Sequence, residues 1–223
     1  MELGLTGKVV LVTGASSAIG RATALAFADE KARIAVGYRT NREAAEETAM
    51  ARQRGGHAIV WSLDLGQPSS LQRAVVADMR QHGWGSIVHV STGLVEDGFP
   101  GGAAYLAAKA GLHGLTRVMS RELAAAGILT NIVMPGFTPA DKELPPQLID
   151  QARQAAATRQ VTHPDDVARM IVFSAPPPTP TPPAKPSAPT ATSSAQADRR
   201  RVGHRKSTKV RTMQIMSRKE RRS

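Results

Sequence analysis

Short apolar segments alternate along the chain with longer segments in which apolar residues recur at helical spacing. Five apolar segments, each bounded by glycine, proline or polar residues, have the length of buried parallel strands. They are KVVLVT (8–13), ARIAVGY (32–38), HAIVWSLDL (57–65), SIVHVS (86–91) and ILTNIVM (128–134). The regular alternation of strand and helix predicts an α/β fold, a doubly wound parallel sheet with helices on both faces.

The helical segments have recognisable starts and stops. Thr40 and Glu43 have the spacing of a capping box and predict the start of the second helix, which should stop at Gly55–Gly56. Two further helices are expected near the end of the pattern, one from Pro145 onward and one from Pro164 to Ser174. The remaining helices are predicted at 19–32, 69–82 and 102–126.

The composition changes at Ala175. From there the chain is rich in proline and then in arginine and lysine, and it holds nearly all of the net charge of +11. Such a segment cannot build a core, so we expect residues 1–174 to form one domain and residues 175–223 a disordered tail. Its arginines can bind nucleic acid non-specifically, but without interleaved aromatic residues or a recognised motif no specific nucleic-acid partner is expected.

Composition also excludes several classes of protein. The chain of 223 residues has no cysteine, which excludes disulfide scaffolds and cysteine nucleophiles. No apolar run is long enough for a membrane span and the N-terminus does not read as a signal peptide, so a cytoplasmic protein is expected. The five histidines before the tail show no metal-ligand spacing, and we expect no metal site.

A glycine-rich loop follows the first predicted strand. The loop Thr13–Gly20 contains Gly14, Ser16, Ser17, Ile19 and Gly20, and small residues there let backbone N–H groups approach a pyrophosphate at a helix N-terminus. The alternative is an ordinary strand-to-helix connection, which also uses glycine.

Residues after the second and third predicted strands bear on the choice of dinucleotide. Arg39 stands where an acidic residue would bind the ribose of NAD, and it suits the 2′-phosphate of NADP instead, so NAD is the less expected cofactor. Asp64, followed by Leu65, is positioned to bond the adenine edge. The alternatives are an exposed arginine and an aspartate that satisfies a turn.

Tyr105 and Lys109 are four residues apart in the longest predicted helix and therefore share one helical face. A tyrosine side chain has an ordinary pKa of about 10, so acid–base work near neutral pH needs a neighbouring cation such as Lys109. Ser91 and Thr92 end the fourth strand, at the sheet edge where doubly wound folds bind ligands. The alternative is a packed tyrosine, a solvated lysine and hydroxyls of no special role.

These segments together resemble the classical short-chain dehydrogenase/reductase family, in particular its 3-oxoacyl-carrier-protein-reductase-like members. The matching segments are TGASSAIG (13–20), LDL (63–65), IVHVST (87–92), YLAAK (105–109), RELAAAGILTNIVMPG (121–136) and PDDVA (164–168). The resemblance implies a Rossmann-like fold and hydride transfer between NAD(P) and a carbonyl or alcohol.

The resemblance also implies roles for individual residues. Tyr105 would exchange a proton with the substrate oxygen while Lys109 makes that hydroxyl more acidic and holds the nicotinamide ribose. Thr92, with Ser91 one residue earlier, stands where the family has a serine that orients the carbonyl. The Pro135–Gly136 pair matches the family's loop after the strand, and Thr138 loosely matches its nicotinamide-facing threonine.

Besides Thr92 in place of the serine, the chain departs from the family in three places. Ala18 replaces a usual glycine of the loop. Between Asp64 and Ser86 the family has a further strand and helix, with Asn-Asn-Ala-Gly and a catalytic asparagine, which this sequence lacks. The family's last strand is also missing after Ser174. The fold should therefore be incomplete, with SIVHVS either moved beside KVVLVT or leaving an open apolar edge.

Two functional hypotheses follow. The leading one is an NADP-dependent oxidoreductase acting on small ketones or 3-oxoacyl thioesters, and the other is an inactive dehydrogenase remnant that at most binds nucleotide. The family's homo-oligomer is in doubt, because its surfaces are built partly on the missing helix. The missing unit itself reflects either a degraded gene or a faulty gene model.

Overall fold

The computed structural model describes residues 3–51, 57–64, 68–139 and 144–175, with the backbone alone described for residues 68–74. The strands, in chain order, are β1 (Val9–Thr13), β2 (Arg33–Tyr38), β3 (Ala58–Ser62), β4 (Gly85–Val90) and β5 (Ile128–Val133). The helices are α1 (Ala18–Asp29), α2 (Arg42–Met50), α3 (Pro68–Gln81), α4 (Leu94–Asp97), α5 (Ala103–Leu123), α6 (Pro146–Ala155) and α7 (Pro164–Phe173), with a 3₁₀ turn at Ala124–Ala126.

The predicted strands and helices are all present, and most of their ends lie within a few residues of the predicted ones. The capping box at Thr40 and Glu43 is wrong, because α2 begins one residue later. The Asn41 side chain accepts a hydrogen bond from the backbone N–H of Ala44 at 3.0 Å and caps the helix. The stop at Gly55–Gly56 and the tail after residue 175 lie outside the described residues.

The strands form two parallel sheets where the pattern predicted one. One sheet has the order β1-β2-β3 and the other pairs β4 with β5. Among the described residues no backbone hydrogen bond joins β1 to β4, and Val9 at the start of β1 is 69% exposed. Of the two outcomes expected for SIVHVS, the chain therefore adopts the open apolar edge. The helix α3 connects the two sheets.

One core nevertheless serves both sheets. Phe27 of α1, Ala45 of α2 and Val172 of α7 pack with the buried residues of β2 on one face of the first sheet. Val88 and Val90 of β4 pack against the same core. Full burial of a valine stabilises a fold by about 1.5–3 kcal/mol, and these half-buried valines contribute a part of that. Side-chain packing therefore helps to keep the second sheet beside the first, although no backbone pairing joins them among the described residues.

The opposite face of the second sheet is covered by α5. Met119 and Leu123 of this helix pack on Ile128, which is fully buried, with Ile87 of β4 alongside. Because side chains alternate along a strand, Ile87 meets α5 while Val88 meets the core on the other face. Helices thus lie on both faces of this sheet, as a doubly wound fold requires.

None of the helices in the part of the chain that the structure describes has the length and apolar character needed to cross a membrane. Within those same residues, no group of three or more His, Cys, Asp or Glu side chains comes together in a way that could hold a metal ion.

Candidate active site

The glycine loop between β1 and α1 is a close backbone cradle. Gly14 has a φ of +66°, which favours glycine, and a Cβ added at Gly20 would lie 2.2 Å from the carbonyl oxygen of Gly14. The loop is fixed to β2 because the N–H of Ala15 donates to the carbonyl of Gly37 at 3.0 Å. Only glycine at position 20 allows this approach, so the spacing of Gly14 and Gly20 is set by contact between the two backbones.

The remaining predicted loop residues lie where α1 begins. Ser17 is its N-cap residue, and its side chain makes no capping hydrogen bond. Ser16 and Ile19 are half-buried. Ala18, which stands where the family has a glycine, has a φ of +44°. The backbone therefore keeps the left-handed conformation that a glycine would adopt freely, at a cost to the alanine of about 1–2 kcal/mol.

The two polar residues expected to choose the nucleotide are exposed. Arg39 follows β2 directly and has no acidic partner among the described residues. The neighbouring Arg42 is instead held by Glu46, with Nε donating to Oε1 at 2.7 Å, and this hydrogen bond raises the pKa of Arg42. Asp64 lies exposed two residues after β3 ends. Leu65 lies outside the described residues.

Tyr105 and Lys109 share one face of α5, as their spacing predicted. The Tyr105 ring is 47% exposed, and the ammonium group of Lys109 lies 5.9 Å from its centroid. Lys109 is half-buried, and burial lowers its pKa. Its Nζ donates a hydrogen bond of 2.8 Å to the carbonyl of Val90, the last residue of β4. Within the described chain the Tyr105 hydroxyl has no hydrogen-bond partner.

The two hydroxyls after β4 have different surroundings. Ser91 is buried and donates to the carbonyl of Lys109 at 3.2 Å, so its oxygen accepts from Nε2 of His113 at 2.9 Å. Thr92 is also buried, but its oxygen accepts a bond of 3.3 Å from the N–H of Leu94 and keeps its own proton available. Ser91 therefore fixes α5 to the strand end, and Thr92 is the hydroxyl able to donate to a ligand.

His89 and His113 belong to this region, and sequence reasoning gave neither a role there. His89 Nδ1 lies 2.8 Å from the hydroxyl of Thr116, which donates to the carbonyl of Leu112 at 2.7 Å and so accepts from the histidine. Burial lowers the pKa of His89. The sequence of α5 contained the information needed to place His113 and Thr116 in this region. Tyr105, Lys109, His113 and Thr116 follow each other at helical spacing and therefore share one face of the helix.

The loop after β5 lies beside the loop after β4. The N–H of Ser91 donates to Val133 at 2.8 Å, and the N–H of Gly93 donates to Pro135 at 3.1 Å. Beyond Pro135 the Thr138 hydroxyl donates to the carbonyl of Gly136 at 3.1 Å. These bonds bring Thr92 and the Pro135–Gly136 pair to one edge of the second sheet.

The glycine loop, Arg39, Thr92 and the Pro135–Gly136 pair follow the carboxyl ends of parallel strands, where α/β folds bind their ligands. Lys109 of α5 reaches the same edge through its bond to Val90. A glycine cradle at the first helix, an arginine after the second strand and a Tyr–Lys pair on a long helix define a dinucleotide-binding fold with acid–base groups. The residues fit a dinucleotide, because a Cβ added at Gly14 would meet nothing within 4 Å, so the cradle beside the N-terminus of α1 has open space for a pyrophosphate.

Comparison with known families assigns both halves of the chain. Residues 8–77 match the family described as short chain dehydrogenase, and residues 71–177 match the one described as enoyl-(acyl carrier protein) reductase. A 3-oxoacyl-[acyl-carrier-protein] reductase, FabG, of Staphylococcus aureus is 30% identical over 225 residues, covering 74% of this chain and 89% of its own length. The chain therefore belongs to the short-chain dehydrogenase/reductase family, a family of oxidoreductases, as its motifs predicted.

Further relatives agree with this assignment. The corresponding FabG of Thermotoga maritima is 28% identical over 226 residues, covering 76% of this chain and 90% of its own length. Among solved structures, the angucycline C-6 ketoreductase LanV with bound NADP superimposes with a TM-score of 0.67 and 26% identity, over 77% of this chain and 90% of that one.

The alignment with the Staphylococcus aureus relative also bears on the missing strand and helix. It is 225 residues long although the whole chain has 223 and only 74% of it takes part. The relative therefore has residues for which this chain has no counterpart. The two family matches overlap at residues 71–77, within the helix α3 that connects the two sheets. This is the region in which the resemblance predicted the missing unit.

Proposed function

We propose that the protein reduces carbonyl compounds with NADPH as the hydride donor. The observation that carries the proposal is the grouping of Tyr105, Lys109 and Thr92 where α5 meets the carboxyl edge of the second sheet. The glycine cradle ends β1 at the corresponding edge of the first sheet. The family membership supports the reaction class, and the residues supply its acid–base chemistry.

The cofactor would be held by the glycine loop, Arg39 and the two strand-end loops. Backbone groups around Gly14, Ser16, Ser17, Ile19 and Gly20 suit a pyrophosphate beside a helix N-terminus. The exposed guanidinium of Arg39 suits a 2′-phosphate through paired charged hydrogen bonds, so NADP is preferred over NAD.

Other parts of the same cofactor would meet further residues. Asp64 and Leu65 would border the adenine, and Pro135, Gly136 and Thr138 the nicotinamide. When bound, the reduced nicotinamide supplies a hydride.

The proton would come from Tyr105. In reduction its hydroxyl donates a proton to the substrate oxygen, and the ammonium group of Lys109 stabilises the phenolate that remains. Thr92 donates its free hydroxyl proton to the same oxygen and orients the carbonyl. Ser91 acts indirectly, because its bonds to Lys109 and His113 fix the helix that presents Tyr105.

The substrate class is a small ketone or a 3-oxoacyl thioester. Two relatives named for 3-oxoacyl-[acyl-carrier-protein] reduction and a ketoreductase of similar fold support this choice. We further propose that the protein acts in the cytoplasm and that residues 1–174 form the catalytic domain, with 175–223 a disordered tail. A homo-oligomer is expected of the family, but part of its usual surface is absent here.

A second candidate function is an inactive remnant that at most binds nucleotide. Two observations favour it: the Lys109 ammonium is engaged by the carbonyl of Val90, and the two sheets are not paired. Small misplacements of catalytic groups cost on the order of 100-fold in rate, so the open fold should turn over far more slowly than an intact relative.

The test is NADPH oxidation with a panel of small ketones and 3-oxoacyl thioesters, followed in Tyr105→Phe and in Tyr38→Phe as the matched loss of a hydroxyl elsewhere. Loss of a general acid should lower kcat by about 10²–10⁴-fold in Tyr105→Phe alone. Turnover that survives Tyr105→Phe would contradict the mechanism. If the unmodified protein and Tyr38→Phe both bound NADPH without turnover, the result would favour the inactive remnant.

A further inference from the structure

The free edge of β1 carries a row of backbone groups directed away from β2. The N–H of Arg33 donates to the carbonyl of Lys8, so the even-numbered residues of this strand point their backbone groups at β2. The intervening residues Val9, Leu11 and Thr13 point theirs to the other side. β1 is the edge strand there, because the order of its sheet is β1-β2-β3.

β4 has a free edge of the same kind. The N–H of Gly85 donates to Gly127 and that of Ser91 to Val133, so the odd-numbered residues face β5. Ser86, Val88 and Val90 therefore direct their backbone groups away from β5.

The two free edges face each other. Lys8, just before β1, places its Nζ 4.8 Å from the ring centroid of Trp84, just before β4, so the two strands begin side by side. Val88 and Val90 of β4 pack against the core that includes Val12 of β1. We name the space between β1 (Val9–Thr13) and β4 (Gly85–Val90) the β1–β4 slot.

Two further observations mark the slot as incomplete. Trp84 Nε1 and Ser86 Oγ, both buried at its start, have no hydrogen-bond partner in the described part of the chain. The face of the first sheet opposite α1 also exposes Val9, Ile59 and Trp61, at 69%, 63% and 45%. A strand in the slot followed by a helix across that face would cover both.

We propose that the β1–β4 slot is a docking site for a strand–helix segment of a separate polypeptide, and that docking releases Lys109 from Val90. The strand would lie parallel to β1 and β4, with apolar side chains on both faces, and the helix would be amphipathic. The Staphylococcus aureus relative supports this occupant, since it has residues that this chain lacks in the same alignment.

Other occupants fit less well. The segment after residue 175 is rich in proline, which lacks the N–H that a central strand needs, and then in positive charge. A second copy has no spare strand, because each described strand already belongs to its own sheet. Both remain outcomes that the experiment can detect.

The link to Lys109 follows from the position of Val90. Its carbonyl belongs to the free edge, and the Lys109 ammonium now satisfies it at 2.8 Å. A docked strand would bring a backbone N–H to this edge to compete for the same carbonyl. The lysine would then be available to Tyr105, so activation by the segment rests on the proposed function, whereas docking itself does not.

The probe is the stretch of the Staphylococcus aureus relative that this chain lacks, produced as a separate polypeptide. Its controls are the same residues in scrambled order and the same segment N-methylated at alternate residues. Binding is read in full-length Trp61→Phe, where Trp84 at the slot is the remaining tryptophan. We expect a saturable shift of its emission with the segment and none with either control.

Two chain variants test the location. Val9→Lys puts a charge on the apolar sheet face that the docked helix would cover, at the margin of the slot, and should weaken binding by more than about tenfold. Met50→Lys changes an equally exposed apolar residue at the end of α2 and should bind as before. Thermal melts of both variants serve to check that they remain folded. Equal binding by both variants, or equal binding of the scrambled segment, overturns the proposal.

The release of Lys109 has its own measurement. The ¹⁵N signal of its ammonium group, assigned with Lys109→Met, should shift on docking, and NADPH-dependent turnover should rise in parallel. Docking with a shifted lysine but no turnover would contradict the proposed function and leave the slot standing. The docking proposal would be overturned if the segment shifted neither the Trp84 emission nor the Lys109 signal. It would also be overturned if size-exclusion chromatography showed that only a second copy fills the slot, or if the segment bound only after residues 176–223 were removed.

Discussion

Replacing Ala18 by glycine should stabilise the protein, although glycine usually weakens a helix. Ala18 is the first residue of α1 and has a φ of +44°, a conformation that costs alanine about 1–2 kcal/mol and glycine little. Against this gain stands the greater freedom of glycine in the unfolded chain, about 0.5–1 kcal/mol. The difference leaves a net stabilisation of about 0.5–1 kcal/mol, or about 1–4 °C in Tm for a domain of this size.

The assay is urea unfolding followed by circular dichroism, with Ala26→Gly as the matched control. Ala26 lies in the same helix with ordinary helical φ and is half-buried, so glycine there should destabilise by about 1 kcal/mol. The two substitutions should therefore change the free energy of unfolding in opposite directions. If Ala18→Gly lowered stability as much as Ala26→Gly does, the loop would not have the left-handed backbone described for it.

Three further predictions concern the glycine cradle, the nucleotide and pH. Gly20→Ala should abolish NADPH binding and lower Tm, because its Cβ would collide with the Gly14 carbonyl; Gly111→Ala, with open space around it in α5, should raise Tm instead. Arg39→Asp should weaken NADPH binding far more than NADH binding in a fluorescence titration, and equal losses would show that this residue does not bind the 2′-phosphate. The pKa of His89 in the folded protein lies below its ordinary value of 6.5, because burial disfavours the charged ring. Between these two pKa values the unfolded state binds more protons than the folded state, so the free energy of unfolding should fall as the pH drops from about 6.5 through the folded pKa. His89→Gln should lose this pH dependence in Tm measurements between pH 7.5 and 5, and an unchanged profile would assign it to another group.

The order of the elements could be predicted because each strand carries its own local signal. KVVLVT and ARIAVGY are apolar runs with clear boundaries, and the chain forms β1 and β2 from them. The capping box failed because Thr40 and Asn41 are both good caps, and local geometry rather than spacing decides which of them bonds to the helix. The short helix α4 has four residues, too few for any periodicity to show.

The grouping of the site was predictable in part. The four-residue spacing of Tyr105 and Lys109 puts them on one face of any helix, so their proximity follows from sequence. The bond from Lys109 to Val90 did not follow, because it depends on a carbonyl that the missing strand leaves without a backbone partner. The different hydrogen bonds of Ser91 and Thr92 also could not be predicted from the sequence, because they depend on where His113 and Leu94 lie in three dimensions.

The division into two sheets has a consequence for how the molecule unfolds. In a continuous sheet, hydrogen bonds between neighbouring strands make the strands open together, whereas no backbone hydrogen bond joins β1 to β4 among the described residues and their side chains pack on a shared core. Each sheet with its helices can then open as its own unit, at a free energy below that of global unfolding. Native-state hydrogen exchange should therefore show two groups of amides with different protection, one from each sheet, below the single global transition.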